Sequence, residues 1–427
     1  VSDAHDPDDA APARPERHSI SAHFEDSSPG RTLEVLLVFL RLGLTSFGGP
    51  VAHLAYFREA FVIRRGWISE RAYADLVALC QFLPGPASSQ VGMALGLQRA
   101  GFRGMLAAWA AFTLPSAVLL LAVAQGVALA GDLSEAGWVS GLKAAAVAVV
   151  AHAVLGMARA HAPDPRRATI AAAGMILVLL IPHPAVQVGV IVLAALAGLL
   201  LLPDDEAPAG DQDAFAVRIR RRVAVAALAA FGLLLVGLPV LAAALAGSVA
   251  GPAATLVDLF YRAGALVFGG GHVVLPLLQG ETVGTGLVDQ EVFLAGYSAA
   301  QAVPGPLFTV SSFLGASATS GPSGVLGATI ALLAIFLPAG LLVVGTLPFW
   351  EALRGAPRVR RALRGVNAGV VGLLAAALYT PVFTAGVLAA GTGALVVAVA
   401  GFVALSAWRA PAWAVVLAAG LLGWAVL

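Results

Sequence analysis

The strongest constraint on this chain is a series of apolar, almost uncharged stretches that fills it from Thr32 to Leu427. Lipid supplies no water to backbone N–H and C=O groups, so a segment crossing it must satisfy those groups internally. Runs of roughly 20 apolar residues do this as helices. The composition agrees: 59% of residues are hydrophobic and 11% charged, with mean hydropathy +0.89, against about 45–50% and about 25% in soluble domains. The expected fold class is an all-α polytopic membrane protein.

Charge and cysteine content narrow the function classes. There are 25 basic and 24 acidic residues, net +1, so nothing points to nucleic acid; the expected surroundings are membrane lipid. Lys143 is the single lysine and Cys80 the single cysteine. One cysteine excludes an intrachain disulfide and any multi-cysteine metal site. Residues 1–30 are polar and carry Asp3, His5, Asp6, Asp8, Asp9, His18 and His23. They lack the apolar core of a signal peptide and read as a disordered cytoplasmic tail. Their His and Asp are scattered without a ligand spacing. No metal or cofactor is expected.

The apolar chain is broken twice in each half, at matching places. The first half has Phe47-Gly48-Gly49-Pro50 with His53, then Gln81 before Pro84-Gly85-Pro86. The second has Phe268-Gly269-Gly270-Gly271-His272, then Gln301 before Pro304-Gly305-Pro306. Phe47 precedes Phe268 by the same interval as Pro84 precedes Pro304, to within a single position. Such paired Gly/Pro interruptions are the best pointer in a sequence to a transporter's substrate site. The flanking pieces, about 32–47, 51–63, 69–82 and 87–97, are too short to span, since a crossing helix needs about 20 residues. They are expected to form re-entrant hairpins broken near their tips. Ser69 is the expected N-cap of the third piece.

Longer spans are expected at about 104–130, 138–157, 168–181 and 185–202. A polar linker containing Asp204, Asp205 and Glu206 and closed by Arg218, Arg220, Arg221 and Arg222 follows. The expected organisation is tail 1–30, first repeat 31–202, linker 203–222, a single span within 223–252, and second repeat 253–427. Later spans fall at about 324–347, 365–380, 383–405 and 411–427. Loops of the first hairpins carry Arg58, Arg64, Arg65, Arg71, Arg99 and Arg103, whereas the matching second-half loops carry Glu281, Asp289 and Glu291. By the positive-inside rule the halves lie in opposite directions, with the N-terminus cytoplasmic. Two homologous halves as an inverted repeat are a recurring plan of secondary transporters.

Restarting helices present N–H groups without intrahelical partners and a partial positive charge, which suits anions. The candidate substrate-binding residues at the breaks are Gly48, Gly49, Gly85, Gly269, Gly270 and Gly305. Ser88, Ser89 and Gln90 follow one Pro-Gly-Pro break, and Thr309, Ser311 and Ser312 the other. Gln81 and Gln301 precede them. Hydroxyls and amides can bond an oxyanion, or serve interhelical packing. Arg41 and Arg262 each stand six residues before the glycine break, within apolar segments, and could grip an oxyanion bidentately. Asp258, one turn before Arg262, could instead hold it in an ion pair. His53 and His272 could donate to an anion or relay a proton, or simply cap and pack. Asp75 is a candidate proton carrier, with Arg71 one turn away as a salt-bridge alternative. Lys143 and Arg364 match when the interval between the breaks is carried forward, and read as residues near helix ends that snorkel.

Signatures of aqueous enzymes are missing: there is no Walker A loop, HExxH site, G-x-S-x-G elbow or Rossmann fingerprint. On the break motifs Phe47–Pro50 with His53, Gln81 with Pro84–Pro86, Phe268–His272, and Gln301 with Pro304–Pro306, the chain resembles the long, two-domain form of the chromate ion transporter family. The resemblance runs from about Leu33 to the C-terminus, excluding tail and linker. It implies a bacterial inner-membrane protein that exports chromate and confers resistance to it, with sulfate as a competitor or further substrate. A homodimer is compatible with this. The rival readings are a channel-like or uptake pathway for sulfate or another anion, and an intramembrane enzyme.

Overall fold

A computed structural model describes residues 29–46, 49–130, 137–181, 184–203, 215, 217, 219–267, 274–350 and 356–426. Every regular element among them is helical. Gly48, Gly269, Gly270, His272, the tail to residue 28 and most of the linker lie outside the described residues.

The first half contains α1 (Pro29–Thr45), α2 (Gly49–Phe57), which continues as a π-helix (Arg58–Ile63), and α3 (Glu70–Phe82). It continues with α4 (Ala87–Ala130), α5 (Gly137–His161), α6 (Pro165–Leu180) and α7 (Pro184–Leu201). Helix α8 (Arg221–Ala244) joins the halves. The second half contains α9 (Gly251–Leu266), α10 (Val274–Thr282), α11 (Gln290–Ala302), a 3-10 turn (Leu307–Thr309), α12 (Val310–Ala316) and α13 (Gly324–Thr346). It ends with α14 (Pro357–Ala377), which runs on into a π-helix (Leu378–Leu388), then α15 (Thr392–Ser406) and α16 (Ala412–Val426). Among the described residues, five stretches are long and apolar enough to cross a membrane: Ala87–Leu129, Ser140–His161, Arg221–Ala244, Gly324–Phe349 and Pro357–Leu388.

Local chemistry explains the helix ends. Ser69 caps α3, its Oγ accepting the Ala72 N–H at 3.2 Å. Helix α3 stops at Leu83, whose extended backbone (ψ 147°) is the conformation a following proline favours. Asp164 caps α6 with Pro165 in the first turn, where the missing N–H costs nothing. Helix α4 has two arms, because Ala100 and Gly101 leave helical geometry (Gly101 φ +63°).

Equivalent contacts recur in both halves. Helix α1 crosses α4 at Gly43, where a Cβ would meet the Ala111 carbonyl oxygen at 2.7 Å; α9 crosses α13 at Gly264, against the Ile335 carbonyl. The halves also interleave: α5 packs against α11, α15 and α16, and α14 packs against α6 and α7. Within this exchange Gly141 abuts Ala419 and Gly423, while Gly365 abuts Ala194 and Gly198. Gly141 and Gly365 thus play the same part in the two halves, which makes Asn367 the counterpart of Lys143 here rather than Arg364. The repeat register has drifted since the breaks.

Lys143 departs from the snorkelling expectation. It lies inside α5, is buried, and its Nζ donates to Glu291 Oε1 of α11 at 2.9 Å. A partner 148 residues away removes the need to reach an interface.

Candidate functional site

Each Pro-Gly-Pro break ends on the other half. The N–H of Gly85 donates to the carbonyl of Val267 at 2.6 Å, and the N–H of Gly305 donates to the carbonyl of Ser46 at 3.0 Å. Val267 and Ser46 are the last described residues before the two glycine breaks. The two bonds are repeat equivalents, each half giving the other the same contact. Both glycines have positive φ, +116° at Gly85 and +104° at Gly305, which a side chain would strain. A Cβ on Gly305 would also lie 2.7 Å from Ser116 Oγ of α4.

His53 reinforces one of these crossings. It is fully buried, and its Nε2 sits 3.1 Å from the Ser46 carbonyl that also accepts from Gly305. A carbonyl only accepts, so Nε2 carries a proton, while Nδ1 lies 3.4 Å from Ser88 Oγ. The ring meets Phe112 edge-on at 5.2 Å between centroids. On the other side Gln90 Nε2 donates to the Pro84 carbonyl at 2.8 Å.

Several buried polar atoms close to the breaks have no hydrogen-bond partner among the described residues. They are Ser46 Oγ, Ser89 Oγ, Gln90 Oε1, Thr113 Oγ1, Ser311 Oγ and Gln301 Nε2, the last beside the Tyr297 hydroxyl but outside good hydrogen-bond geometry. Most buried polar groups are bonded, and exceptions commonly mark an ion or water site. Ser89 and Gln90 stand on the first turn of α4, Ser311 just beyond Pro306, Gln301 on the last turn of α11, and Thr113 one turn from Ser116. Both donors and acceptors are present. The other candidates are occupied: Thr309 Oγ1 donates to the Pro306 carbonyl at 2.7 Å and Ser312 Oγ to the Ala117 carbonyl at 2.9 Å. Pro50 and Pro84 are half-buried, whereas Pro86, Pro304 and Pro306 are buried.

The repeat-matched helices α3 and α11 differ in cover. On α3, Arg71, Ala74 and Gln81 are exposed and Asp75 is half-buried, at a spacing that forms one stripe. The corresponding stripe on α11 is exposed at its first position, Glu291, and buried at Leu294, Ala295, Ser298 and Gln301. Helix α5 covers it, with Ser298 Oγ donating to the Leu142 carbonyl at 2.8 Å and Lys143 meeting Glu291.

The two arginines also differ. Arg262 bonds Asp258 through Nε at 3.1 Å and Nη2 at 3.0 Å, and Glu281 at 2.9 Å. The in-helix pair was legible in the sequence; Glu281, from α10, was not. Arg41 is exposed and lines a cleft of about 160 Å³ with Thr45, Tyr56, Glu59, Arg64 and Arg65. It stands roughly 9 Å along the helix from the glycine break, at about 1.5 Å per residue. Arg41 is therefore outside the cluster of partnerless polar atoms.

Comparison with known proteins bears on this arrangement. The chromate transporter family profile matches residues 33–200 and again 254–424, one match per half. The chain is 29% identical over 415 residues to a chromate transport protein of Pseudomonas aeruginosa, covering 91% of each chain. It is 28% identical over 347 residues to a probable chromate transport protein of Synechococcus elongatus, covering 80% of this chain and 82% of the relative. A chromate transport protein of Cupriavidus metallidurans is 26% identical over 359 residues, covering 82% and 83%. No solved structure matches. The profile excludes the tail and linker and includes all four breaks, so this interleaved helical chain, broken twice in each half, belongs to the chromate transporter family.

Proposed function

We propose that the protein is a secondary transporter that exports chromate, a tetrahedral dianion, by alternating access between two oppositely inserted halves. The observation that carries this reading is the reciprocal pair of bonds Gly85–Val267 and Gly305–Ser46, which brings each Pro-Gly-Pro break to the helix end before the other half's glycine break. Restarting helices, above all α4, whose first N–H groups have no intrahelical acceptor, lend partial positive charge there. Gln301, Ser89, Gln90 and Ser311 supply polar atoms that a bound oxyanion could satisfy. Gln81, on the open face of α3, is the second glutamine of the site and reaches it when that face closes. Asp75, on the same face, remains the candidate proton carrier.

Inversion rests on the charge bias of the loops, with Arg58, Arg64, Arg65 and Arg71 on the cytoplasmic side and the N-terminus inside, in a bacterial inner membrane. The difference between α3 and α11 favours alternating access over an open channel. One member of a matched pair is covered by α5 while its counterpart is not, as expected of a protein open to one side at a time. Sulfate shares the shape and charge of chromate and is expected to compete.

Counterflow in proteoliposomes tests the reading. Vesicles preloaded with unlabelled chromate should accumulate labelled chromate transiently above equilibrium, with a saturable initial rate. Flux that rises linearly with concentration and shows no overshoot would make the pathway a channel.

A further inference from the structure

Among the clefts, buried charges and unmatched side chains of the molecule, one contrast stands apart from the central site. Arg41 and Arg262 occupy the same place in the two halves, six residues before the glycine break, yet their surroundings have opposite charge. Around Arg262 two carboxylates, Asp258 and Glu281, share one guanidinium, so its charge is already met within the protein. Around Arg41 the first-half residues at the positions of Asp258 and Glu281, in the register set by Phe47 and Phe268, are Leu37 and Ala60.

The cleft at Arg41 brings three guanidinium-bearing residues, Arg41, Arg64 and Arg65, together with a single acid, Glu59. Glu59 is already bonded by Arg64 Nε at 2.8 Å. Glu34, the acid on the same helix as Arg41, is bonded by Arg99 at 2.9 Å. Arg58, nearby in sequence, bonds Glu70. Among the described residues Arg41 and Arg65 therefore have no acid partner in the open cleft, Arg65 Nη1 donating only to the Ala60 carbonyl at 3.3 Å, and the Tyr56 and Thr45 hydroxyls are also present. Two guanidinium groups without acid partners match a divalent oxyanion in charge and in fork geometry.

We infer that the cleft of Arg41, Arg64 and Arg65 is a capture site for a divalent oxyanion, separate from the central breaks, and that Asp258 and Glu281 abolish its counterpart in the second half. The inference rests on the anion-transport reading and adds a direction to it. A dianion is drawn to the cleft with unpaired arginines and finds no free guanidinium at its counterpart, where Arg262 is already paired. Focused surface charge raises the encounter rate more than the turnover.

The test is initial-rate chromate flux in proteoliposomes for the unmodified protein, Arg41→Gln, Arg65→Gln and Arg41→Lys, at low and high ionic strength. Arg41→Gln and Arg65→Gln should each raise KM roughly fivefold at low salt, leave the maximal rate within about twofold, and lose the difference as salt screens the cleft. Arg41→Lys should recover much of the loss. Asp258→Asn combined with Glu281→Gln should lower KM for flux entering from the opposite face. Unchanged KM in both glutamine variants would overturn the inference. So would a collapsed maximal rate at unchanged KM, which would make Arg41 part of the translocation step. Absence of chromate flux in the unmodified protein would instead overturn the function on which the inference stands.

Discussion

At the scale of single residues, the two crossing glycines are not equally tolerant. Both have positive φ, which costs a side chain about 1–3 kcal/mol. A Cβ on Gly85 would meet the Gln90 amide only at 3.1 Å, the far end of a flexible side chain that also bonds the Pro84 carbonyl at 2.8 Å. On Gly305 it would press on Ser116 Oγ, whose hydroxyl donates to the Thr113 carbonyl at 3.0 Å. Gly305→Ala is therefore expected to lower the thermal unfolding midpoint in detergent more than Gly85→Ala; equal midpoints would mean that α4 gives way freely. Asp164 gives a pH-dependent case outside the spans. The Arg167 backbone N–H, at 3.0 Å, and then its side chain hold the carboxyl below its usual range. A depressed pKa stabilises the fold above the unfolded value and is lost as pH falls through the folded one. The stability difference between the unmodified protein and Asp164→Asn should thus be present at neutral pH, begin to fade below about pH 4 and vanish as pH falls through the depressed native value, read from unfolding midpoints across pH. The breaks and the Ser69 cap were legible because glycine, proline and capping residues act locally. The partners Val267, Ser46 and Glu281 were not, because they belong to contacts made far along the chain.

At the scale of elements, the interleaving of α5 with the second half depends on a charge pair whose members differ in exposure. Lys143 is 8% exposed in its side chain and Glu291 48%. Removing the glutamate leaves a buried ammonium without its acid, whereas removing the lysine leaves a carboxylate that water can reach. A buried donor left unsatisfied costs about 1–3 kcal/mol, more when charged, and the half-exposed partner lowers the net worth of the pair itself. Glu291→Gln should therefore destabilise the protein more than Lys143→Gln in detergent unfolding; the reverse order would show that Lys143 is solvated. Periodicity and composition marked most helices, but not the π-helical continuations at Arg58–Ile63 and Leu378–Leu388. A π-turn changes the hydrogen-bond register without a distinctive residue pattern. The register of the breaks, carried forward to pair Lys143 with Arg364, failed for a related reason. Segments between the repeated elements differ in length, and only the packing of Gly141 and Gly365 reveals the drift.

At the scale of the whole molecule, the uneven cover of α3 and α11 is expected to appear as chemical accessibility. Cysteines introduced at Ala74 and Gln81 should react with a membrane-impermeant maleimide, while one at Leu294 stays protected; the native Cys80 is buried and should contribute little background. Equal reaction at Ala74 and Leu294 would remove the case for a one-sided state. The apolar runs and paired breaks made the polytopic, twice-repeated plan legible. The exchange of α5 and α14 between halves has no local signal. The central claim is that polar groups gathered where the breaks cross hold the anion. It is tested most directly by labelled chromate flux into inverted vesicles carrying the unmodified protein, Gln301→Ala or Ser89→Ala, at matched amounts of folded protein. Saturable flux is expected for the unmodified protein, with a raised KM and reduced flux in both variants. Unchanged flux and affinity in both would contradict it.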